Sequence, residues 1–430
     1  MAHCAWHRDE VDVDWTGNAS GSAAGFTQTR SSDRLLRGIL MGEAFIVSAA
    51  RTAGGRRGGR LAGVHPVDLG ATVVDALLDR AKADPILVED VIFGCVSQIG
   101  EQSTNIARNI VLASNLPQLT PGVTIDRQCG SSQQALHFAA HAVMAGAMDV
   151  VIAGGVESMS RVPMGSPVTV AAANGLGRYK SPGVEAHYPR IEFSQFTGAE
   201  MVAAKYKLGR EVLDEFALES HKKAANAITA GLFANEIVPL NALGSDGAIS
   251  RHDQDEGVRF DASLEAIRNV KLLREDGVIS AGNSSQICDG ASGVMIANAR
   301  GLRALGAEPI GRIAQTAVIG GDPIIMLDAP ADATDRVLRR AGMTIDKIDL
   351  FEVNEAFAPI PLAWLRNTGA ASDKMNVHGG AIALGHPLGA SGTKLITTLL
   401  NALKVRRARF GLQTMCEGGG MANATIIECL

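Results

Sequence analysis

Apolar positions along most of the chain alternate between short runs typical of buried strands and longer stretches with helical spacing. Residues 66–83 place Leu69, Val73 and Leu77 on one face of a predicted helix, and residues 91–96 follow as a short apolar strand. Helices that alternate with buried strands are typical of crossover units on a mainly parallel sheet. The pattern therefore predicts an α/β fold.

The last third of the chain repeats the order of elements in the first third, which predicts two duplicated halves. A predicted helix at 329–343 and a strand at 348–353 answer those at 66–83 and 91–96. In the first half, a strand at 123–126 leads through Cys129 into a helix at 131–145; in the second, His386 precedes a helix at 391–403. Two such halves about a pseudo-twofold axis would bring Cys129 and His386 to corresponding helix N-termini.

The rhythm of the sequence also divides the chain into parts. The N-terminal part has neither helical nor strand periodicity and is expected to be a poorly ordered extension. The part between the two halves is rich in Gly, Pro and charge, contains one clear helix at 210–229, and is expected to be an inserted lid. The predicted parts are the extension 1–40, the first half 41–158 completed by 283–307, the insertion 159–282 and the second half 308–430.

Composition and charge exclude several classes of function. A net charge of −5 gives no general attraction for nucleic acid. No apolar run reaches the roughly 18 residues that a membrane span needs. The six cysteines show no paired spacing that would indicate a zinc site or a disulfide framework. We therefore expect a cytoplasmic protein with free thiols and no metal, nucleic-acid or membrane partner.

Cys129, in DRQCGSSQQAL, is the first candidate for chemistry. Unpaired backbone N–H groups at the start of a helix favour a thiolate by about 0.3–1 kcal/mol and can hold an oxyanion. A nucleophile fits this position. A buried small thiol without a role fits it equally well when the residue is considered alone.

Two further candidates lie in glycine-rich segments of the second half. A neutral imidazole at His386, in GGAIALGHPLGASG, could accept the thiol proton of Cys129; a satisfied core histidine is the alternative. Cys416, in MCEGGGMAN, is predicted to lie at a turn after a strand, where a thiol could serve as acid and base. A strand-end thiol with no role is the alternative there.

Asn354 and Glu355, in VNEAF, end a mainly apolar strand. Sites in parallel sheets form at the carboxyl ends of strands, which makes both side chains candidates. Asn354 could equally cap a following helix.

Five motifs in this order, CGSSQQA, AGGVESMS, VNEAF, GGAIALGHPLGASG and CEGGGMANA, resemble the thiolase family over residues 41–430. The resemblance implies the thiolase fold, with two βαβαβ-type halves in a layered αβαβα arrangement and an inserted lid. It also implies CoA-dependent cleavage of a 3-ketoacyl-CoA to acetyl-CoA and a shortened acyl-CoA, a reversible Claisen condensation of the kind used in fatty acid β-oxidation.

The resemblance implies a role for each candidate in a ping-pong reaction. Cys129 would attack the keto carbon after activation by His386, and Cys416 would protonate the released enolate. One oxyanion pocket would combine His386 with a water held by Asn354. The other would be formed by the backbone N–H groups of Cys129 and Gly418.

The resemblance further implies that CoA and acyl-CoA are substrates, with no permanently bound cofactor. Ser285, in AGNSSQICDGAS, would contact the pantetheine, and Arg259 would hold the nucleotide end of CoA. The assembly would be a homo-oligomer, either a dimer or a tetramer.

The chain departs from the biosynthetic thiolases in its insertion, where Ser194, Gln195 and Met201 stand in place of a His-Met pair and an Asn. These replacements indicate a degradative member acting on a longer or bulkier acyl chain, including sterol side chains. Outside the insertion, His378 stands where Asn is common, which is a milder change.

Several other functions are weighed against this one. A biosynthetic acetoacetyl-CoA thiolase is the nearest alternative. A ketoacyl synthase-like enzyme would lack a counterpart of Cys416, and a non-catalytic acyl-CoA-binding relative would be expected to lose the reactive residues. A Rossmann oxidoreductase would require a G-x-G-x-x-G turn after a strand, which the chain does not have.

Overall fold

A computed structural model describes residues 42–243 and 247–430, and the predicted extension at 1–40 lies outside them. The strands are β1 (Phe45–Arg51), β2 (Gly55–Arg56), β3 (Asp90–Gly94), β4 (Gly122–Ile125), β5 (Val150–Ser158), β6 (Leu240–Leu243), β7 (Ile249–His252), β8 (Cys288–Ala297), β9 (Gly311–Gly320), β10 (Leu350–Val353), β11 (Phe410–Glu417) and β12 (Met421–Cys429). 

The α-helices are α1 (Pro66–Ala81), α2 (Ile106–Ala113), α3 (Ser131–Met144), α4 (Ser166–Ala173), α5 (Pro182–His187), α6 (Gln195–Lys205), α7 (Arg210–Thr229), α8 (Leu264–Arg268), α9 (Ala299–Leu305), α10 (Pro330–Ala341), α11 (Pro359–Thr368), α12 (Ala381–Leu384) and α13 (Ser391–Arg406). Short 3-10 helices lie at Arg60–Gly63, Pro85–Leu87, Gly100–Gln102, Ile345–Lys347, Ser372–Lys374 and Leu388–Ala390.

One continuous sheet runs through both halves in the order β10-β11-β12-β9-β1-β8-β5-β3-β4, with β2 paired to β8. The expectation of a mainly parallel sheet was wrong. Only β3 with β4, β3 with β5, and β10 with β11 are parallel among the described strand pairs of this sheet. One antiparallel pair has a local reason: the glycine turn Gly418–Gly420 joins β11 to β12, and so short a connection permits only antiparallel pairing.

The helices form three layers around the two parts of the sheet. Leu69, Val73 and Leu77 of α1 pack on the outer face of the first-half strands, as their spacing predicted. In the second half, α10 and α11 cover the opposite outer face, where Trp364 packs on Phe351. Helices α3 and α13 lie between the two parts of the sheet and share one apolar cluster. The α/β fold with layered αβαβα order is confirmed.

Glycines let the two central helices begin very close to one another. A methyl group on Gly392, in the first turn of α13, would lie 2.1 Å from the backbone nitrogen of Gln133 in α3. A methyl group on Gly155 would lie 2.0 Å from the carbonyl oxygen of Gly389. Only glycine fits at such separations. The first turns of α3 and α13 therefore lie against each other, and the segment that precedes α13 lies against β5.

The segment between the halves contains more helices than its sequence indicated. Helix α7 has the predicted bounds, but α4, α5, α6 and α8 were not expected. Helix α4 has no buried residue, so it lacks the apolar stripe on which such a prediction depends. No helix in residues 42–243 or 247–430 is long and apolar enough to cross a membrane.

Candidate active site

Cys129 lies two residues before the start of α3, in the loop that follows β4. The loop is tight, because Gln128 has a left-handed φ of 48° and its N–H donates to Asp126 Oδ1 at 2.6 Å. The Ser131 hydroxyl donates to the carbonyl oxygen of Gln128 at 2.6 Å. These contacts fix the sulfur at the N-terminal end of the helix.

The surroundings of Cys129 keep its sulfur protonated at rest. Burial raises the pKa of Cys129 to about 12, and Glu417 adds to the rise when its carboxyl group is charged. The backbone N–H groups of Gly418 and of Cys129 itself lower the pKa. Burial thus outweighs the helix N-terminus, and a thiol requires a base before it can attack.

His386 has the protonation state that such a base needs. It is 3% exposed, and burial, assisted by the charge of Lys394, lowers its pKa to about 3. Nδ1 lies 2.5 Å from the Ser391 hydroxyl, which donates its proton to the carbonyl oxygen of Pro387 at 2.8 Å. Ser391 Oγ can therefore only accept from His386, so Nδ1 carries the hydrogen and the lone pair is on Nε2.

Replacing Ser391 with alanine should lower kcat/KM by about 10–100-fold, because the Nδ1–H group loses the acceptor that fixes the reactive tautomer. Steady-state kinetics over a range of pH would measure the loss. Thr397→Ala is the matched control, since this buried hydroxyl of the same helix donates only to the Thr393 carbonyl. An unchanged kcat/KM at every pH would show that Ser391 does not orient the imidazole.

Asn354 faces Nε2, the unprotonated nitrogen of the His386 imidazole. Its Nδ2 lies 3.4 Å from His386 Nε2, and its Oδ1 is buried with no hydrogen-bond partner among the described residues. The alternative interpretation of Asn354 as a helix cap was wrong, because α11 begins at Pro359 with Ala358 as its N-cap. An amide at this position can hold a small polar group beside Nε2.

Glu355 has a structural environment instead. Its carboxylate accepts from Ser220 Oγ at 2.7 Å, Asn376 Nδ2 at 2.9 Å and the backbone N–H of Ile382 at 3.1 Å. Three donors satisfy both oxygens of this buried carboxylate, which is typical of a structural group. Glu355 therefore ties the VNEAF segment to α7 and α12.

The remaining candidate site residues, Cys416 and Gly418, lie at the end of β11 and in the turn that follows it. Cys416 is fully buried, and burial together with the nearby Cys129 raises its pKa well above the ordinary value. It lies within the strand, opposite Ala422, so its predicted position in the turn was wrong by about two residues. Gly418 begins the turn and directs its N–H to the Cys129 sulfur.

Two pairs of candidate residues are thus brought together: His386 with Asn354, and Cys129 with the Cys416–Gly418 segment. Leu388, two residues after His386, packs in the same small apolar cluster as Cys129 and Met415. The local repeat is less exact than predicted. An isolated parallel bridge joins Arg127 to Cys129 in the first half, and an equivalent bridge joins Val377 to Gly379 in the second half. The direct counterpart of Cys129 is therefore Gly379, and His386 lies in a longer connection.

The predicted CoA contacts lie in different surroundings. Ser285 is partly exposed, and its backbone N–H donates to the carbonyl oxygen of Ala356 at 3.0 Å, beside the VNEAF segment. Arg259 is exposed, and its backbone N–H donates to His221 Nδ1 at 3.2 Å. An exposed guanidinium is accessible to an anionic group. The CoA roles of both residues stay predictions.

Phe196, the residue after two of the departures noted in the insertion, forms an apolar wall with Phe357. Phe196 stacks edge-on against Phe357 with ring centroids 5.8 Å apart, three residues beyond Asn354. Met201 is 37% exposed and Phe196 41% exposed. Ser194 serves as the N-cap of α6, a local role that its sequence context did not reveal.

Within residues 42–243 and 247–430, no group of three or more His, Cys, Asp or Glu side chains is arranged to hold a metal ion. The cysteines of this part, Cys95, Cys129, Cys288, Cys416 and Cys429, are free thiols.

Comparison with known proteins places this geometry in a family. The N-terminal domain of thiolase matches residues 44–300, and the C-terminal domain of thiolase matches residues 307–429. The steroid 3-ketoacyl-CoA thiolase FadA6 of Mycobacterium tuberculosis is 48% identical over 399 residues, which are 92% of this chain and 96% of that protein. A 3-ketoacyl-CoA thiolase of Bacillus subtilis is 41% identical over 400 residues, 90% of this chain and 100% of that protein.

A solved structure gives the same result. The crystal structure of the Bacillus anthracis acetyl-CoA acetyltransferase superposes with a TM-score of 0.83 at 33% sequence identity. The match covers 91% of this chain and 99% of that one.

Proposed function

The chain belongs to the thiolase family, and from this premise we propose that it cleaves a 3-ketoacyl-CoA with free CoA, using Cys129 as the nucleophile. The observation that carries the proposal is a buried neutral thiol at Cys129 together with a buried neutral imidazole at His386, whose lone pair is on Nε2 and whose segment places Leu388 in the same apolar cluster as Cys129. Both groups are uncharged near pH 7, so the proton moves as the sulfur attacks. The enzyme is an acyltransferase.

In the first half-reaction, His386 Nε2 takes the thiol proton and the sulfur adds to the keto carbon. The carbon–carbon bond breaks, the acyl group stays on Cys129, and acetyl-CoA leaves as an enolate that receives a proton from Cys416. In the second, Cys416 takes the proton of the CoA thiol as its sulfur attacks the acyl-enzyme, the shortened acyl-CoA leaves, and Cys129 regains its proton from His386. Run in reverse, the same steps condense two acyl groups.

Two oxyanions form along this path, and each has its own group of donors. The backbone N–H of Gly418 already points to the Cys129 sulfur, and with the N–H of Cys129 it is placed to stabilise the oxygen of the carbonyl under attack. His386 Nε2, once protonated, and the polar group held by Asn354 serve the thioester oxygen of the enolate. No metal is required for either step in this proposal.

We further propose that the acyl group is long or bulky and apolar. The exposed face of Phe196, which packs edge-on against Phe357 three residues beyond Asn354, provides apolar area at this wall. FadA6 of Mycobacterium tuberculosis is named for steroid substrates, and the biosynthetic His-Met pair and Asn are replaced in this chain. Burying apolar acyl surface on this wall would supply binding free energy at about 25 cal/mol per Å².

The proposal also covers the CoA contacts, the cellular location and the oligomeric state of the enzyme. Ser285 and Arg259 are the proposed contacts of the pantetheine and nucleotide parts of CoA. The free thiols fit the reducing cytoplasm. A homo-oligomer, dimer or tetramer, is supported by β4, which forms an outer edge of the sheet and carries the exposed Val123.

The test is an assay of CoA-dependent cleavage across acetoacetyl-CoA, a long-chain 3-ketoacyl-CoA and a steroid-like 3-ketoacyl-CoA. We expect kcat/KM to be lowest for acetoacetyl-CoA. Phe196→Ala should lower kcat/KM for the bulky substrates by about 10-fold, through loss of about 1–2 kcal/mol of apolar contact, and leave acetoacetyl-CoA almost unaffected. Phe138→Ala, an exposed phenylalanine of α3, is the matched control.

A preference for acetoacetyl-CoA would instead support the biosynthetic alternative, which the similarity to the Bacillus anthracis acetyl-CoA acetyltransferase keeps open. Absence of cleavage with all three substrates, in a folded protein, would overturn the assignment of a thiolase reaction.

A further inference from the structure

Glu417 is a buried carboxyl group between two residues of the candidate site, Cys416 and Gly418, and the mechanism above does not use it. The side chain is fully buried and reaches the start of α3. A methyl group on Gly130, the residue after Cys129, would lie 1.9 Å from Glu417 Oε1 and 2.7 Å from Asn423 Nδ2. The carboxyl group thus lies directly against the backbone that carries the candidate nucleophile.

Neither oxygen of this carboxyl group has a hydrogen-bond partner among the described residues. Asn423 Nδ2, the nearby donor, bonds the Gly130 carbonyl at 3.2 Å instead. Glu157, another fully buried acid, shows what a structural carboxylate looks like here. It accepts from the backbone N–H groups of Val96, Ser97 and Gly389 and from Gln102 Nε2, each at 2.9–3.0 Å.

An unpaired buried carboxyl group costs free energy of folding, so its presence next to a reactive thiol points to a role in the reaction. The charged or titratable groups that face it are Asp126, Arg127 and Cys129 from the loop before α3, and Cys416 from β11. Burial raises the pKa of Glu417 to about 8; the positive charge of Arg127 lowers it, and the negative charge of Asp126 raises it. The group is therefore mainly neutral at pH 7 and becomes charged in mildly alkaline solution.

We propose that Glu417 is a positioning residue for Cys129: its neutral carboxyl group fills the space against Gly130 without opposing thiolate formation, and its charged form keeps the thiol protonated. This inference rests on the proposed role of Cys129 as nucleophile. It adds an electrostatic control that limits acylation as the pH rises. Glu417 acts through the sulfur and does not touch the substrate.

The test measures the thiol itself, so it does not depend on thiolase activity. The second-order rate of alkylation of Cys129 by iodoacetamide, located by peptide mass, would be followed from pH 6 to pH 10 in the full chain. Glu417→Gln should match the wild type within about twofold at pH 6 and react about threefold or more faster at pH 9, because one pKa unit changes the thiolate fraction tenfold. Glu417→Asp, which restores the acid, should react more slowly than Glu417→Gln at pH 9.

The wild-type protein supplies a second measurement that needs no variant. A single thiol ionisation makes the logarithm of the alkylation rate rise with a slope of one, whereas ionisation of Glu417 should flatten the rise between about pH 7 and pH 9. A uniform slope of one, or identical profiles for Glu417→Gln and the wild type, would overturn the inference. Retained cleavage activity in a protein alkylated at Cys129 would overturn the proposed function instead.

Discussion

Replacing Cys129 with alanine should lower CoA-dependent cleavage of 3-ketoacyl-CoA by about 10⁴-fold or more. The loss is this large because the sulfur is the only proposed attachment point for the acyl group, and neither Cys416 nor His386 could take its place without moving. Measurement of acetyl-CoA release, with mass analysis for a protein-bound acyl group, checks both the rate and the intermediate.

Cys429→Ala is the control for this variant, since it removes a thiol at the end of β12 and should leave the rate unchanged. Binding of acyl-CoA to Cys129→Ala should persist, because no binding contact is removed. A variant that kept full cleavage activity would show that the attacking group is another residue, and the proposed mechanism would be abandoned.

Replacing Cys416 with alanine should separate the two chemical steps. Carbon–carbon cleavage should fall by about 10²–10⁴-fold, the usual contribution of a positioned acid or base. Transfer of an acyl group from a simple acyl-CoA to Cys129 should fall much less, since that step forms no enolate. The two rates are measured separately, by acetyl-CoA release and by the mass of the acyl-enzyme.

If both rates fell equally in Cys416→Ala, the thiol would act by packing against Cys129 and not by proton transfer. Cys416→Ser is the informative partner variant. It keeps a proton donor of similar size but with a far higher pKa, so cleavage should recover only slightly.

Local sequence patterns were sufficient for the elements that bury one face. The spacing of Leu69, Val73 and Leu77 predicted the packing of α1, and α7 has the predicted bounds. The directions of strands were not predictable in this way. Each strand carries the same apolar pattern whether its neighbours run parallel or antiparallel, and only the short turn after β11 held the information.

The candidate site was predicted at the level of segments, and its roles stay predictions. Four separate motifs supplied Cys129, Asn354, His386 and Cys416, and the structure shows which of them are adjacent. Ser391 was not predicted as the partner of the imidazole, because its contact depends on the path of the preceding loop. A Ser at the start of a helix gives no signal beyond its capping preference.

The burial of Glu417 could not be predicted from the sequence. Its place between Cys416 and three glycines is visible in the sequence, but a glutamate beside a turn is ordinarily solvent-exposed. Its burial follows from the approach of β11 to the start of α3, which joins residues nearly 290 positions apart. Long-range packing of this kind leaves no trace in local periodicity.

The contact between the N-terminal ends of α3 and α13, which admits only glycine, also decides when during folding the protein becomes reactive. A chain that has formed only its first half carries Cys129 but not His386, the proposed acceptor of its proton. The proposed acylation therefore requires both halves to have docked, and long-range assembly of this kind is slow.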